Sequence, residues 1–163
     1  MWRFLASLIG VSVAQVQVGQ EVPPTLSAQD ETGKKVSMGD LRGKWAVLFF
    51  YPHDDTPGCT RQAKEFSRLH TDFQKLGAQV YGVSGQNAES HRAFKKKHNL
   101  TIPLLVDSTA SLSDFFGVKR MMGMCSRDVV VVSPQGKIAL IRRGVSPDTS
   151  AQEILNWLRE NRQ

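Results

Sequence analysis

Cysteine is scarce in this chain: two residues, Cys59 and Cys125, among 163. That excludes a small domain stapled by disulfides, and each cysteine is better read singly as a reagent. The C-x-x-C pair of a dithiol reductase is absent, because Thr56 stands where its first cysteine would be. No apolar run is long enough to span a membrane comfortably. No internal repeat, low-complexity tract or linker is present. Lysine and arginine outnumber aspartate and glutamate by 21 to 15, a formal net charge of +6, but the basic residues are scattered. Their one local run, Lys95-Lys96-Lys97, reads as the solvated face of a helix. Nucleic-acid binding would want clustered basic residues interleaved with aromatics, so the composition speaks against it. The charge implies weak attraction to anionic surfaces and little else.

What remains is an ordinary globular composition, 40% hydrophobic and 22% charged, in a length suited to one domain with a proper core. The N-terminus stands apart. Met1-Trp2-Arg3 is short and positive, Phe4 to Ala14 is almost wholly apolar or small, and Ser12-Val13-Ala14 resembles a small-x-small cleavage site. Residues 1–14 thus have the layout of a short secretory signal, which would place the protein in the periplasm or cell envelope. The alternative is an extra strand or helix on a cytoplasmic domain. The domain itself is read as 18–163.

The order of elements follows from periodicity and turn residues. Asp30-Glu31-Thr32-Gly33 is a turn before a short strand at Lys35-Val36-Ser37, giving an N-terminal hairpin. Met38 to Leu41 reads as a single helical turn. Trp45 to Tyr51 is a continuous apolar run, as in a strand buried on both faces. A helix is expected from Gly58 to Leu76, stopped by Gly77. Gln79 to Ser84 is a second strand, Asn87 to His98 a helix, Leu104 to Val106 a strand and Ser111 to Phe116 a short helix. Asp128 to Ser133 and Lys137 to Arg142 form a hairpin around Pro134-Gln135-Gly136. A last helix starts near Asp148, with Ser150 and Glu153 at capping-box spacing. The early βαβ units demand parallel strands and the terminal hairpin adds antiparallel ones. The fold class is α/β, a mixed sheet flanked by helices.

Chemistry concentrates in Tyr51-Pro52-His53-Asp54-Asp55-Thr56-Pro57-Gly58-Cys59-Thr60. Cys59 lies where a buried strand hands over to a helix, in that helix's first turn. The free N–H groups and positive dipole end there stabilise an anion, here a thiolate. Carboxyl ends of strands are where active groups collect in such sheets. Three residues before Cys59, the Thr56 hydroxyl can face the sulfur. Pro52 and Pro57 stiffen the loop and shield it from water. Arg127, at the mouth of the Val129–Val132 strand, is either the cation that pairs with the thiolate or a surface arginine. His53-Asp54-Asp55 reads as an exposed loop, and His70, His91 and His98 as structural or solvated. Met121-Met122-Gly123-Met124-Cys125 offers soft ligands of the kind that bind Cu(I), or else packs a loop over the site. Without C-x-x-x-C, packing is preferred.

The Tyr51–Thr60 segment resembles the active-site signature of the peroxiredoxins, most closely the peroxiredoxin Q or bacterioferritin comigratory protein type. Gly82-Val83-Ser84, His91, Phe94, His98-Asn99-Leu100, Pro103-Leu104-Leu105-x-Asp107, Phe116-Gly117-Val118 and Arg127 resemble it too. The resemblance runs from about Val18 to the C-terminus. It implies a thioredoxin-like fold, no cofactor, and peroxidase activity on hydrogen peroxide and organic hydroperoxides. Cys59 would be the peroxidatic cysteine, Thr56 and Arg127 would orient and polarise the peroxide, and Pro52 would shield the pocket. It also implies a monomer.

One departure matters. Many peroxiredoxin Q proteins carry a resolving cysteine five residues after the peroxidatic one, and here that position is Lys64. Cys125 is then either the resolving thiol or a small buried residue. If the strand of Arg127 already runs at Cys125, the two share a face and both approach Cys59. Otherwise the enzyme uses one cysteine and an external reductant such as thioredoxin, glutaredoxin or a small thiol.

Overall fold

Among the described residues seven strands form one sheet, in the spatial order Lys35–Ser37, Ser27–Asp30, Leu104–Val106, Ala78–Ser84, Trp45–Phe50, Val129–Val132, Ile138–Arg142. The computed structural model describes residues 16–162, so the expected signal at residues 1–14 lies outside the described residues. The strands are β1 (Ser27–Asp30), β2 (Lys35–Ser37), β3 (Trp45–Phe50), β4 (Ala78–Ser84), β5 (Leu104–Val106), β8 (Val129–Val132) and β9 (Ile138–Arg142). A separate two-stranded ribbon, β6 (Arg120–Met121) and β7 (Met124–Cys125), stands outside the sheet. The helices are α1 (Pro57–Arg68), α2 (His70–Lys75), α3 (Ala88–His98), α4 (Ser111–Phe115) and α5 (Ser150–Asn161), with a 3₁₀ turn at Met38–Leu41. Strands β3, β4 and β5 are parallel, as their helical crossovers require. The flanking pairs β1–β2, β1–β5, β3–β8 and β8–β9 are antiparallel.

Side-chain alternation along β3 divides the core into two layers. Val47, Phe49 and Tyr51 face one layer, with Phe66 of α1, Phe73 of α2, Phe94 of α3 and Leu155 of α5. Ala46, Leu48 and Phe50 face the other, with Leu41, Leu112, Phe116 and Val118. All six side chains from Ala46 to Tyr51 are buried, which is why the run carries no polar alternation. Phe49 and Phe66 stack with ring centroids 4.3 Å apart, fixing α1 over the centre of the sheet.

Two expectations need correcting. The helix expected from Gly58 to Leu76 is two helices, broken at Leu69, where ψ is 4°. Phe66, Leu69 and Phe73 all reach the same core layer across the break, so the apolar spacing passes through it unchanged. The capping box at Ser150 is not formed either. Thr149 is the N-cap of α5 without a side-chain cap bond, and the Ser150 hydroxyl instead accepts a hydrogen bond from Gln62 Nε2 at 3.0 Å.

Candidate active site

The site lies at the carboxyl end of β3, where the loop 51–56 leads into α1. Thr56 is the N-cap, Pro57 follows at the first helical position, and the first helical bond runs from Thr60 N–H to Thr56 O at 2.8 Å. Proline suits that position, since its missing N–H would have had no helical acceptor. The N–H groups of Gly58 and Cys59 precede that first bond and point out of the helix end. Cys59 is only 1% exposed and packs in the layer of Phe49 and Phe66.

Antiparallel pairing of β8 with β3 brings Arg127 to the same place. Phe49 pairs with Val129, and Phe50 N–H donates to Asp128 O. Arg127, just before β8, is thereby set beside the strand end from which the Cys59 loop departs. Its Nη2 lies 3.6 Å from Cys59 Sγ, and its Nη1 donates to Gln62 Oε1 at 2.9 Å. Gln62 is fully buried one turn beyond Cys59 and is held in turn by Ser150. Gly58 permits the approach: a Cβ there would come 3.2 Å from Arg127 Nη2. The surface-arginine alternative for Arg127 is not what the fold adopts.

The Thr56 hydroxyl donates to His53 O at 3.1 Å. Its proton is thus turned into the loop, and its oxygen keeps lone pairs for an incoming O–H. Pro52 is half-buried and lines a groove of about 710 Å³ with Val118, Met121, Met124, Cys125 and Ser126.

Cys125 is differently placed. Its strand, β7, ends three residues before β8 begins, so strand alternation does not carry from Cys125 to Arg127 and the shared-face argument fails. Cys125 packs in the layer of Phe50 and Phe116, across the sheet from Cys59. Burial pushes its thiol above the ordinary range, against a hydrogen bond with Ser113 Oγ at 3.5 Å. Both cysteines are free. Met121 and Met122 are 76% and 91% exposed, Met122 at the ribbon tip, while the Cys125 thiol beside them is buried.

The reading of His53-Asp54-Asp55 as an exposed loop holds for His53 and Asp55 and fails for Asp54. Asp54 is buried and accepts hydrogen bonds from Tyr51 Oη at 2.6 Å, Ser90 Oγ at 2.8 Å and His91 Nδ1 at 2.7 Å. Burial alone would raise the Asp54 carboxyl, but these bonds outweigh it and hold the group below its usual range. The Tyr51 phenol is pushed well above its usual range by burial and by the Asp54 charge, so it remains a donor. Asp55, at φ 61°, accepts from Lys97 Nζ and His98 Nε2, both at 2.7 Å. The residues that sequence reasoning passed over are therefore Gln62, Asp54 and the buried His91. The signal was available for two of them: Gln62 and His91 both interrupt apolar helix faces, and buried polar groups need partners.

Proteins similar in sequence and fold fall in one family. The AhpC/TSA family model matches residues 18–141. The chain is 36% identical over 149 residues to a chloroplastic peroxiredoxin Q of Suaeda salsa, covering 90% of this chain and 69% of that protein. It is 35% identical over 153 residues to peroxiredoxin Bcp of Bacillus subtilis, covering 89% and 96%. Its fold matches a solved structure of the Xanthomonas campestris bacterioferritin comigratory protein, studied for alkyl peroxide reduction, with a TM-score of 0.82 at 29% identity over 90% of this chain and 100% of that one. The chain thus belongs to the AhpC/TSA family, beside the peroxiredoxin Q and Bcp proteins, and is a thiol-dependent peroxidase of thioredoxin-like fold.

Proposed function

We propose that Cys59 is the peroxidatic thiol and that the chain reduces hydrogen peroxide and small organic hydroperoxides with electrons from an external thiol. The observation that carries this reading is the Arg127 guanidinium 3.6 Å from Cys59 Sγ at the N-terminal end of α1. A cation, a helix dipole and free N–H groups converge on one sulfur, and each favours the thiolate. The thiolate attacks the nearer peroxide oxygen. The S–O bond forms as the O–O bond breaks, sulfur is oxidised to sulfenic acid, and the leaving alkoxide or hydroxide takes a proton from solvent. Arg127 and the Cys59 N–H stabilise the charge that shifts onto oxygen. Thr56, with its own proton directed to His53 O, accepts the peroxide O–H and orients it. A shielding role for Pro52 rests on the resemblance alone, since the groove it lines holds Cys125 and not Cys59.

A thiol then condenses with the sulfenic acid, releasing water and leaving a mixed disulfide, and a second thiol restores Cys59. Because Cys125 lies across the sheet with its thiol kept protonated by burial, the first of these thiols comes from outside the chain. Thioredoxin, glutaredoxin and small thiols all supply that chemistry, and a monomer suffices for it. Among the described residues no helix is long and apolar enough to cross a membrane. Export rests on Met1–Ala14 alone and is tested by N-terminal sequencing of the native protein.

The test is the intact mass of reduced protein after one equivalent of hydrogen peroxide, with free thiols blocked and sites mapped. One oxygen gained on Cys59 with Cys125 free is the expected result. A Cys59–Cys125 crosslink would make Cys125 the resolving thiol, and an unmodified Cys59 would end the proposal.

A further inference from the structure

The mechanism needs Thr56 held at one orientation above Cys59, yet Thr56 sits on a loop without secondary structure of its own. What holds it is a chain of contacts running back into α3. Thr56 Oγ1 donates to the carbonyl of His53. The same peptide unit carries the Asp54 N–H, which donates to Gln86 Oε1 at 3.0 Å. Gln86 is itself fixed by Ser84 Oγ, which donates to its Oε1 at 2.7 Å. The Asp54 side chain anchors the other side of that peptide. One oxygen accepts from Tyr51, the other from Ser90 and His91. His91 Nε2 lies 2.9 Å from Leu105 O, which can only accept. His91 Nδ1 meets Asp54 Oδ2 at 2.7 Å, so both ring nitrogens are engaged and the imidazole locks the carboxyl to the backbone of β5. His91 is fully buried and Asp54 is 5% exposed. No reaction step uses either group, although burying polar side chains is costly unless they are fully hydrogen-bonded.

We infer that Asp54, held by His91, Ser90 and Tyr51, is a positioning residue for peroxide reduction: it fixes the 53–54 peptide, whose carbonyl sets the Thr56 hydroxyl over Cys59. The inference rests on Cys59 being the reacting thiol. It differs from a merely structural role in what it predicts. Alkylation of Cys59 by iodoacetamide needs a thiolate and access. Reaction with peroxide needs those and the aligned Thr56 oxygen. Loss of the anchor slows the second reaction more than the first.

The experiment compares the two rates in the full chain, at one pH, for the wild type and Asp54→Asn. Cys59 oxidation by hydrogen peroxide is followed by quenched-flow mass analysis, and alkylation is followed the same way. The ratio of peroxide rate to alkylation rate is expected to fall roughly 10- to 100-fold, the scale of a reacting group displaced by about an ångström. An unchanged ratio in folded Asp54→Asn overturns the inference. Should that variant not fold, Tyr51→Phe and Ser90→Ala, which keep the Asp54–His91 contact and each remove one donor, are read by the same ratio. A fall in either supports the inference and no change in both overturns it. If wild-type Cys59 itself stays reduced, the reading of Cys59 fails and the positioning role fails with it, an outcome distinct from a reactive wild type beside an equally reactive variant.

Discussion

Cys59 and Cys125 are buried to nearly the same degree, 1% and 2% exposed, and differ in almost everything else. Cys59 closes the first turn of a helix and meets a guanidinium. Cys125 ends a two-residue strand and meets the Ser113 hydroxyl. Burial alone makes a thiol a small apolar filler and disfavours its anion. At Cys125 nothing overcomes that effect, and its thiol is raised. At Cys59, aligned N–H groups and Arg127 oppose it. The chemistry of a cysteine is set by what faces it, more than by how deep it lies.

The largest break in this comparison is to delete each thiol in turn. Cys59→Ser should abolish peroxidase turnover. Cys125→Ala should retain it within about threefold, since a factor of that size is under 1 kcal/mol of barrier. Steady-state peroxide consumption with an excess of external thiol measures both. Equal losses in the two variants would erase the distinction between the sites.

Removing the cation from Cys59 comes next. Arg127→Ala should lower the rate of Cys59 oxidation roughly 10²- to 10³-fold, as loss of one aligned donor to a developing oxyanion does. Gln62→Ala keeps the guanidinium and removes the 2.9 Å bond that tethers it to Gln62. A loss of about tenfold, near 1.4 kcal/mol of barrier, is expected there. Rapid-mixing rates of Cys59 oxidation rank the two, and the reverse ranking would mean that Gln62 acts other than through Arg127.

The anchor beneath the loop gives a pH signature that Cys125 lacks. The Asp54 carboxyl is held below its unfolded value of about 3.9. A depressed folded value means that the unfolded chain binds the proton first. The stabilisation is therefore complete above the unfolded value and lost as pH falls through the folded one. Thermal melts of the wild type should drop steeply below about pH 4, and Asp54→Asn should show a shallower acid limb. The substitution also weakens three buried hydrogen bonds, so the variant should melt lower at neutral pH. Parallel acid limbs would show that the folded chain does not hold the Asp54 carboxyl below its unfolded value.

The contrast between the cysteines also marks how far the sequence could be read. The sheet, its helices and Cys59 at the strand-to-helix junction were legible, because apolar runs, glycine stops and the position of Pro57 act locally. Arg127 was legible as a candidate only, since its reach to Cys59 depends on the β3–β8 register. The β6–β7 ribbon was not legible. Its turn places Met122 at φ 54° beside Gly123, a left-handed pair that methionine does not advertise. Asp54 was misjudged because charge in a loop normally means exposure. Its burial follows from partners 32 to 37 positions away in Ser90, His91 and the Gln86 that clamps its backbone. Cys125 was drawn toward Arg127 by extending β8 back past its true start at Val129.

The smallest expected effect is the most selective. Gly58 is not in the left-handed region, so alanine there strains no backbone, and the added methyl would sit 3.2 Å from Arg127 Nη2. The neighbour is the far end of a flexible side chain, which can yield by a few tenths of an ångström. Yielding moves the guanidinium along its contact with Cys59 Sγ and leaves the Cys125 layer untouched. Gly58→Ala should slow peroxide oxidation of Cys59 about 2- to 5-fold, a fraction of 1.4 kcal/mol, and should not lower the melting temperature, because alanine is the better helix former. A rate equal to the wild type would show that the 3.6 Å approach of Arg127 tolerates displacement, and that the field of the helix end dominates at Cys59. A loss as large as that of Arg127→Ala would show the opposite, that the cation acts only at this one distance.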